Sequence, residues 1–206
     1  MQSSFAFFAP LSLFTSLTTM TLAKSLMGVA LATALLLLIP LVAMQFTTEV
    51  VWTLSDFVVA GALLFGAGLT FTLLARLGNN RPYRLAMGVA VAAGLLLVWA
   101  NLAVGLIGNE HSPANLLFGS VLVVALGGAF AARFRPLGMS RAMFAAALTY
   151  VTVAAIALSS WPPAAATAEP SANLPNMLVG NGVFAALWVV SGWLFRRAGS
   201  AGPQLV

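Results

Sequence analysis

No cysteine occurs among the 206 residues. That excludes a disulfide framework, a thiolate metal site and a cysteine nucleophile, and it fits either redox compartment. Charge is almost as scarce: charged residues make up 6% of the chain, with four carboxylates and a single histidine. A soluble domain normally carries about 25% charged residues, so this chain cannot cover a water-facing surface. Hydrophobic residues account for 61% of it instead. The composition is that of a membrane protein, with room for several spans of about 20 residues each and for no separate soluble domain.

Catalytic constellations are also missing. The chain contains no Gly-x-Ser-x-Gly elbow, no His-Glu-x-x-His and no phosphate-cradling glycine loop followed by lysine. Intramembrane hydrolysis would require serine with histidine, or paired aspartates, at depth, and neither is present. The expectation is a non-enzymatic protein with no cofactor and no metal. The net charge of +5 and the pI of about 11.2 would suggest nucleic acid in a soluble protein. Here the nine cations sort by connecting segment, so topology explains them and no nucleic-acid partner is expected.

What is present is a series of six apolar runs, at residues 25–44, 57–74, 85–107, 114–132, 142–158 and 177–195. Each approaches the length needed to cross about 30 Å of hydrocarbon as a helix. Helices are required because unpaired backbone groups are too costly in lipid, and the runs lack barrel-type alternation. Lys24 precedes the first run. Arg76, Arg81 and Arg84 lie between the second and third, Arg133, Arg135 and Arg141 between the fourth and fifth, and Arg196 and Arg197 after the sixth. The carboxylates take the alternate connections: Glu49 and Asp56, then Glu110, then Glu169. The positive-inside rule then predicts an all-α polytopic membrane protein. Six transmembrane helices would form an up-down bundle with both termini cytoplasmic, and short connections would make consecutive helices antiparallel neighbours.

Residues 23–198 would form the transmembrane domain and 199–206 a short cytoplasmic tail. Residues 1–22 carry no charge and are interrupted by Pro10. They lack the basic n-region of a secretory signal. Two readings fit them: an interfacial segment lying on the membrane, or a translation start at Met20 that leaves the preceding residues unmade. The longest connection, 159–176, is rich in proline and alanine and is expected to be irregular. Its Trp161, with Trp52 and Trp99 on the same side, suits the membrane interface.

Small residues recur at helical spacing, as in Gly28 with Ala32, Ala62 with Gly66, Gly88 with Ala92, Ala90 with Gly94, and Gly119 with Gly127 two turns on. They predict close helix packing rather than a dimer signature. Ala75-Arg76 followed by Arg84 recurs as Ala132-Arg133 followed by Arg141. A parallel repeat would produce this, but two short turns that both need arginines explain it more simply.

No Asp, Glu, Lys, Arg or His lies in the middle third of any run. A charge there usually marks an ion or proton path, so a proton-coupled carrier is disfavoured. The remaining polar groups gather toward the carboxylate side: Asp56, Asn101, Asn109, Glu110, His111, Asn115 and Asn181. In a compact bundle they could line one outward-facing pocket, and His111 with Glu110 and Asp56 could in principle hold a divalent metal. The plainer reading makes Asn101 a helix–helix bond, Asp56 a helix cap, and Glu110 with His111 a solvated turn without metal-ligand spacing.

The stretches 39–47, 99–115 and 132–136 resemble an uncharacterised family of small bacterial multi-pass inner-membrane proteins. In that family a Gly-x-Glu-x-x-Pro-Ala-Asn turn follows an Asn-Leu-Ala-Val-Gly run. The matching positions here are Asn101, Gly108, Glu110, Pro113, Ala114 and Asn115. The resemblance implies location and topology and no activity. The leading expectation is an accessory or scaffold subunit of a membrane complex, with the lipid bilayer and a membrane-protein partner as its contacts. Two alternatives remain: a small carrier or channel for a neutral or weakly polar solute, and a membrane enzyme using Glu110 and His111 as acid and base.

Overall fold

The computed structural model describes residues 11–78, 80–103, 106, 113–160 and 174–200. Among these residues all regular structure is helical, as it must be where each segment has to satisfy its own backbone. The α-helices are α1 (Leu11–Phe46), α2 (Leu54–Leu74), α3 (Arg81–Ala103), α4 (Gly119–Ala131), α5 (Pro136–Ser160) and α6 (Leu174–Ser200). A 3₁₀ turn, Ala75–Leu77, follows α2, and a longer 3₁₀ segment, Pro113–Phe118, leads into α4. Five stretches are long and apolar enough to cross a membrane: Leu22–Phe46, Leu54–Leu77, Arg81–Ala103, Pro136–Ser159 and Leu178–Ser200. The sixth apolar stretch, Asn115–Ala131, is shorter.

Helix ends depart from the sequence expectation in one consistent way. α3 begins at Arg81 rather than near residue 85, because Asn80 caps it: the Asn80 Oδ1 accepts from the Tyr83 backbone N–H at 3.0 Å. α5 begins at Pro136, whose fixed φ suits a first helical position, and α6 continues to Ser200. Arg81, Arg84, Arg141, Arg196 and Arg197 therefore ride on helix ends instead of filling loops. The fourth run does not form one α-helix over 114–132, since its first third is wound as 3₁₀. The first run is longer than expected: α1 is a 36-residue helix that contains Pro40 within it. Residues 1–10, the centre of the long connection including Trp161, and the 199–206 tail beyond Ser200 lie outside the described residues.

The chain divides into two compact units, Met1–Thr72 and Leu73–Val206. In the first, α1 and α2 meet where Gly68 faces Val29, so closely that a Cβ on Gly68 would lie 2.5 Å from the Val29 Cγ1. From Leu22 onward most large side chains of α1 are exposed, among them Leu31, Leu35, Ile39 and Val42, as expected of a lipid-facing surface. α2 starts with a capping box. The Asp56 Oδ2 accepts from the Thr53 backbone N–H at 2.7 Å and from the Thr53 hydroxyl at 2.8 Å.

The second unit is a bundle of α3, α4, α5 and α6. Its closest pairs are α5 with α6, α3 with α6, and α4 with α5. The consecutive helices α3 and α4 are not among them, and touch more lightly, with the Leu122 side chain reaching Gly94. The reason lies at one end of the bundle, where α3 is bonded elsewhere. The Asn80 Nδ2 donates to the Ala198 carbonyl of α6 at 2.9 Å. The Tyr83 ring meets Phe195 edge-on at 5.2 Å, and the buried Ser191 hydroxyl donates to the Ala86 carbonyl at 2.9 Å. The Tyr83 hydroxyl also donates to the Phe134 carbonyl at 3.0 Å, in the turn between α4 and α5.

That turn is strained. Arg133 and Phe134 have φ of 49° and 57°, a left-handed conformation that usually falls to glycine at a helix C-terminus. The Phe134 N–H closes the end of α4 by donating to the Ala129 carbonyl at 3.1 Å. The turn after α2 is a plain 3₁₀ turn instead, so the two Ala-Arg turns adopt different backbones. Close packing is real but falls only in part on the glycines the spacing suggested: a Cβ on Gly94 would meet the Leu122 Cδ2 of α4 at 3.6 Å. Gly28, Gly66, Gly119 and Gly127 face open space, whereas a Cβ on Gly128 would lie 2.6 Å from the Ala142 Cβ. α4 and α5 cross there.

Candidate functional site

The interior of the second unit is built from Ala, Leu, Met, Val and aromatic side chains, Ala93, Leu97, Ala125 and Ala146 among them. Four polar side chains are buried there: Asn115, Ser140, Asn181 and Ser191. In lipid, burying an amide is costly unless it is hydrogen-bonded, so the partners of these groups describe the site.

Asn181 lies on α6, about two turns from its start. Its Oδ1 accepts from the buried Tyr150 hydroxyl of α5 at 2.9 Å. Tyr150 is held in turn by rings from two other segments. Phe118, at the end of the 3₁₀ segment, lies 5.2 Å away and tilted, and Phe184 of α6 stacks at 5.9 Å. Asn115, on that same 3₁₀ segment, is buried, and its Oδ1 accepts from the Leu106 backbone N–H at 2.9 Å. This bond ties the 3₁₀ segment to the chain leaving α3. Asn101, in the last turn of α3, donates from Nδ2 to the Leu97 carbonyl one turn back at 2.8 Å, and its buried Oδ1 has no hydrogen-bond partner among the described residues. The bonds from Asn80, Tyr83 and Ser191 set the antiparallel register of α3 on α6. Continued along the pair, that register brings Leu97 level with Asn181 and puts Asn101 about one turn further out.

Three of the sequence-selected residues, Asn101, Asn115 and Asn181, thus belong to the polar end of one unit. Asp56 belongs to the other unit, where it is exposed and caps α2. Asn109, Glu110 and His111 lie outside the described residues. No carboxylate, lysine, arginine or histidine is buried among the described residues, and no group of three His, Cys, Asp or Glu side chains is gathered there. The chemistry available inside the unit is that of amides, hydroxyls and an indole. These groups donate and accept hydrogen bonds but carry no charge.

Two participants were not evident from sequence. In the sequence Tyr150 is only one residue of an apolar run. The signal is its hydroxyl, because a buried tyrosine O–H usually finds a partner and both tyrosines of this chain bond to another segment. Trp188 is the second. It sits two turns further along α6 than Asn181, only 2% exposed, and its Nε1 has no partner among the described residues. Comparison with protein families, with curated proteins and with solved structures finds no match for the chain.

Proposed function

We propose that this chain is a non-enzymatic integral protein of a bacterial inner membrane and acts as an accessory or scaffold subunit of a membrane complex. In this reading it crosses the bilayer six times, with both termini in the cytoplasm. All nine cations fall on one set of alternate connections and all four carboxylates on the other, which supports that topology. The short fourth segment is compatible with it. A 3₁₀ helix rises about 2 Å per residue and an α-helix about 1.5 Å. The six residues of Pro113–Phe118 and the thirteen of α4 therefore reach about 31 Å, against about 30 Å of hydrocarbon.

The observation that carries the reading is the interior of the second unit. It is filled by small apolar and aromatic side chains, and its polar groups are largely turned to joining one helix to the next. Such an interior favours a rigid body that presents its outer surfaces over a path for charge. The test is co-purification of the tagged chain at native expression in mild detergent, read by mass spectrometry. A stoichiometric membrane-protein partner is the expected result, and a lone monodisperse species would overturn it.

The carrier for a neutral, weakly polar solute remains a second reading on one specific observation. The buried Asn101 Oδ1 and Trp188 Nε1 are an acceptor and a donor without partners among the described residues. Its test is solute flux in reconstituted vesicles, abolished by Asn101→Leu. No flux above protein-free vesicles would sink it.

A further inference from the structure

The bonds that hold the second unit together at its Asn80 end also gather arginines. Each anchor has an arginine beside it in sequence. Arg81 follows Asn80, and Arg84 follows Tyr83. Arg133 and Arg135 flank Phe134, whose carbonyl receives the Tyr83 hydroxyl. Arg196 and Arg197 separate Phe195, which packs on Tyr83, from Ala198, whose carbonyl receives the Asn80 amide. All six guanidinium side chains are exposed. The four carboxylates of the chain occupy other connections. Positive charge of this density repels itself, and arginine cannot relieve it by losing a proton. A bias of sign would satisfy topology alone. It does not require three separate segments to be bonded into one basic end, and an anion is the natural counterpart.

The surface next to these arginines identifies the kind of anion. Leu85 follows Arg84, Leu137 follows Arg135 by two residues, and Phe130 and Trp193 lie about one turn before Arg133 and Arg196. All four are exposed apolar side chains. The Arg197 guanidinium lies over the Trp193 ring, 3.6 Å from its centroid, an arrangement that holds a cation where apolar and polar surroundings meet. A ligand that satisfies both surfaces has a negative head and hydrocarbon tails.

We propose that the arginine end of the α3–α6 bundle is a binding site for an anionic phospholipid, its phosphate among Arg81, Arg133, Arg135 and Arg196 and its acyl chains along the exposed faces of α5 and α6. Tyr83 is the positioning residue, because it joins the α4–α5 turn to the start of α3. The proposal rests on the membrane reading and not on the existence of a protein partner.

The test uses the full chain, purified in a non-ionic detergent and offered dioleoyl-phosphatidylglycerol or dioleoyl-phosphatidylcholine. Retained lipid is counted by native mass spectrometry. Phosphatidylglycerol is expected to be held in preference. The double variant Arg133→Gln/Arg135→Gln should lower that preference about thirtyfold at low salt, equivalent to roughly 2 kcal/mol for two guanidiniums. Tyr83→Phe keeps every charge and should still reduce it. Equal retention of the two lipids would overturn the proposal, as would a preference unchanged in the arginine variant. A Tyr83→Phe chain that matches the parent would refute the bonded site and leave only unlocalised charge. Competition by glycerol phosphate as effective as by the whole lipid would reassign the site to a free anion. Retention of the chain in alkali-washed membranes checks the membrane reading separately, so the two failures can be told apart.

Discussion

Removing a single oxygen, in Tyr150→Phe, probes how the second unit is held together. The hydroxyl is buried, it donates to the Asn181 Oδ1 at 2.9 Å, and the ring contacts to Phe118 and Phe184 survive the change. The substitution therefore isolates one bond between α5 and α6. Interhelical hydrogen bonds in membrane proteins average about 0.6 kcal/mol and reach about 1.7. An acceptor left buried without its donor costs about 1–3 kcal/mol. Since Asn181 makes other interactions, the low end applies, and Tyr150→Phe should destabilise by about 1 kcal/mol. Tyr150→Leu should cost about 0.5–1.5 kcal/mol more, for the lost aromatic pairs. The assay is equilibrium unfolding in mixed micelles as the denaturing detergent is raised, run as a double-mutant cycle with Asn181→Ala. A coupling of about 0.6–1.7 kcal/mol is expected. Additivity within about 0.3 kcal/mol would refute the claim that this pair joins the two helices.

Four further substitutions follow from the geometry. Gly128→Ala should destabilise by about 1–3 kcal/mol, because its Cβ would press on Ala142, whereas Gly127→Ala faces open space and should be neutral or stabilising by up to about 1 kcal/mol; paired unfolding curves separate them. Arg133→Gly should raise stability by up to about 1 kcal/mol, by relieving the left-handed backbone at φ 49°, and a thermal shift in detergent reads it. Thr53→Ala should cost about 0.5–2 kcal/mol in helix capping, seen as faster hydrogen exchange in the first turn of α2, since it removes the hydroxyl that bonds to Asp56.

The membrane character and the positions of the helices were legible because they depend on composition and run length alone. The helix ends were not. Asn80 as a cap and Pro136 as a first residue carry α3 and α5 into arginine-bearing stretches that look like loops when hydropathy is the only guide. Which helices adjoin was equally hidden, because α3 is bonded to α6 by Asn80 and Ser191, residues more than a hundred positions from their partners. The asparagines at 101, 115 and 181 stood out in an apolar chain, and they do sit at one polar end. Tyr150 and Trp188 did not stand out, because their rings count as apolar and only their O–H and N–H groups matter here. Asp56 was conspicuous for its charge, yet its bonds stay within its own helix start.

The proposed six crossings underlie both the topology and the arginine end, and the absence of cysteine makes them directly measurable. Thr48→Cys, Leu77→Cys, Ser159→Cys and Ser200→Cys each place one thiol at an exposed position. Each is treated with a membrane-impermeant maleimide on right-side-out vesicles. The account predicts labelling at positions 48 and 159 and none at 77 and 200. Labelling at 200 with protection at 159 would mean that the Asn115–Ala131 stretch does not cross the membrane, and would contradict the account.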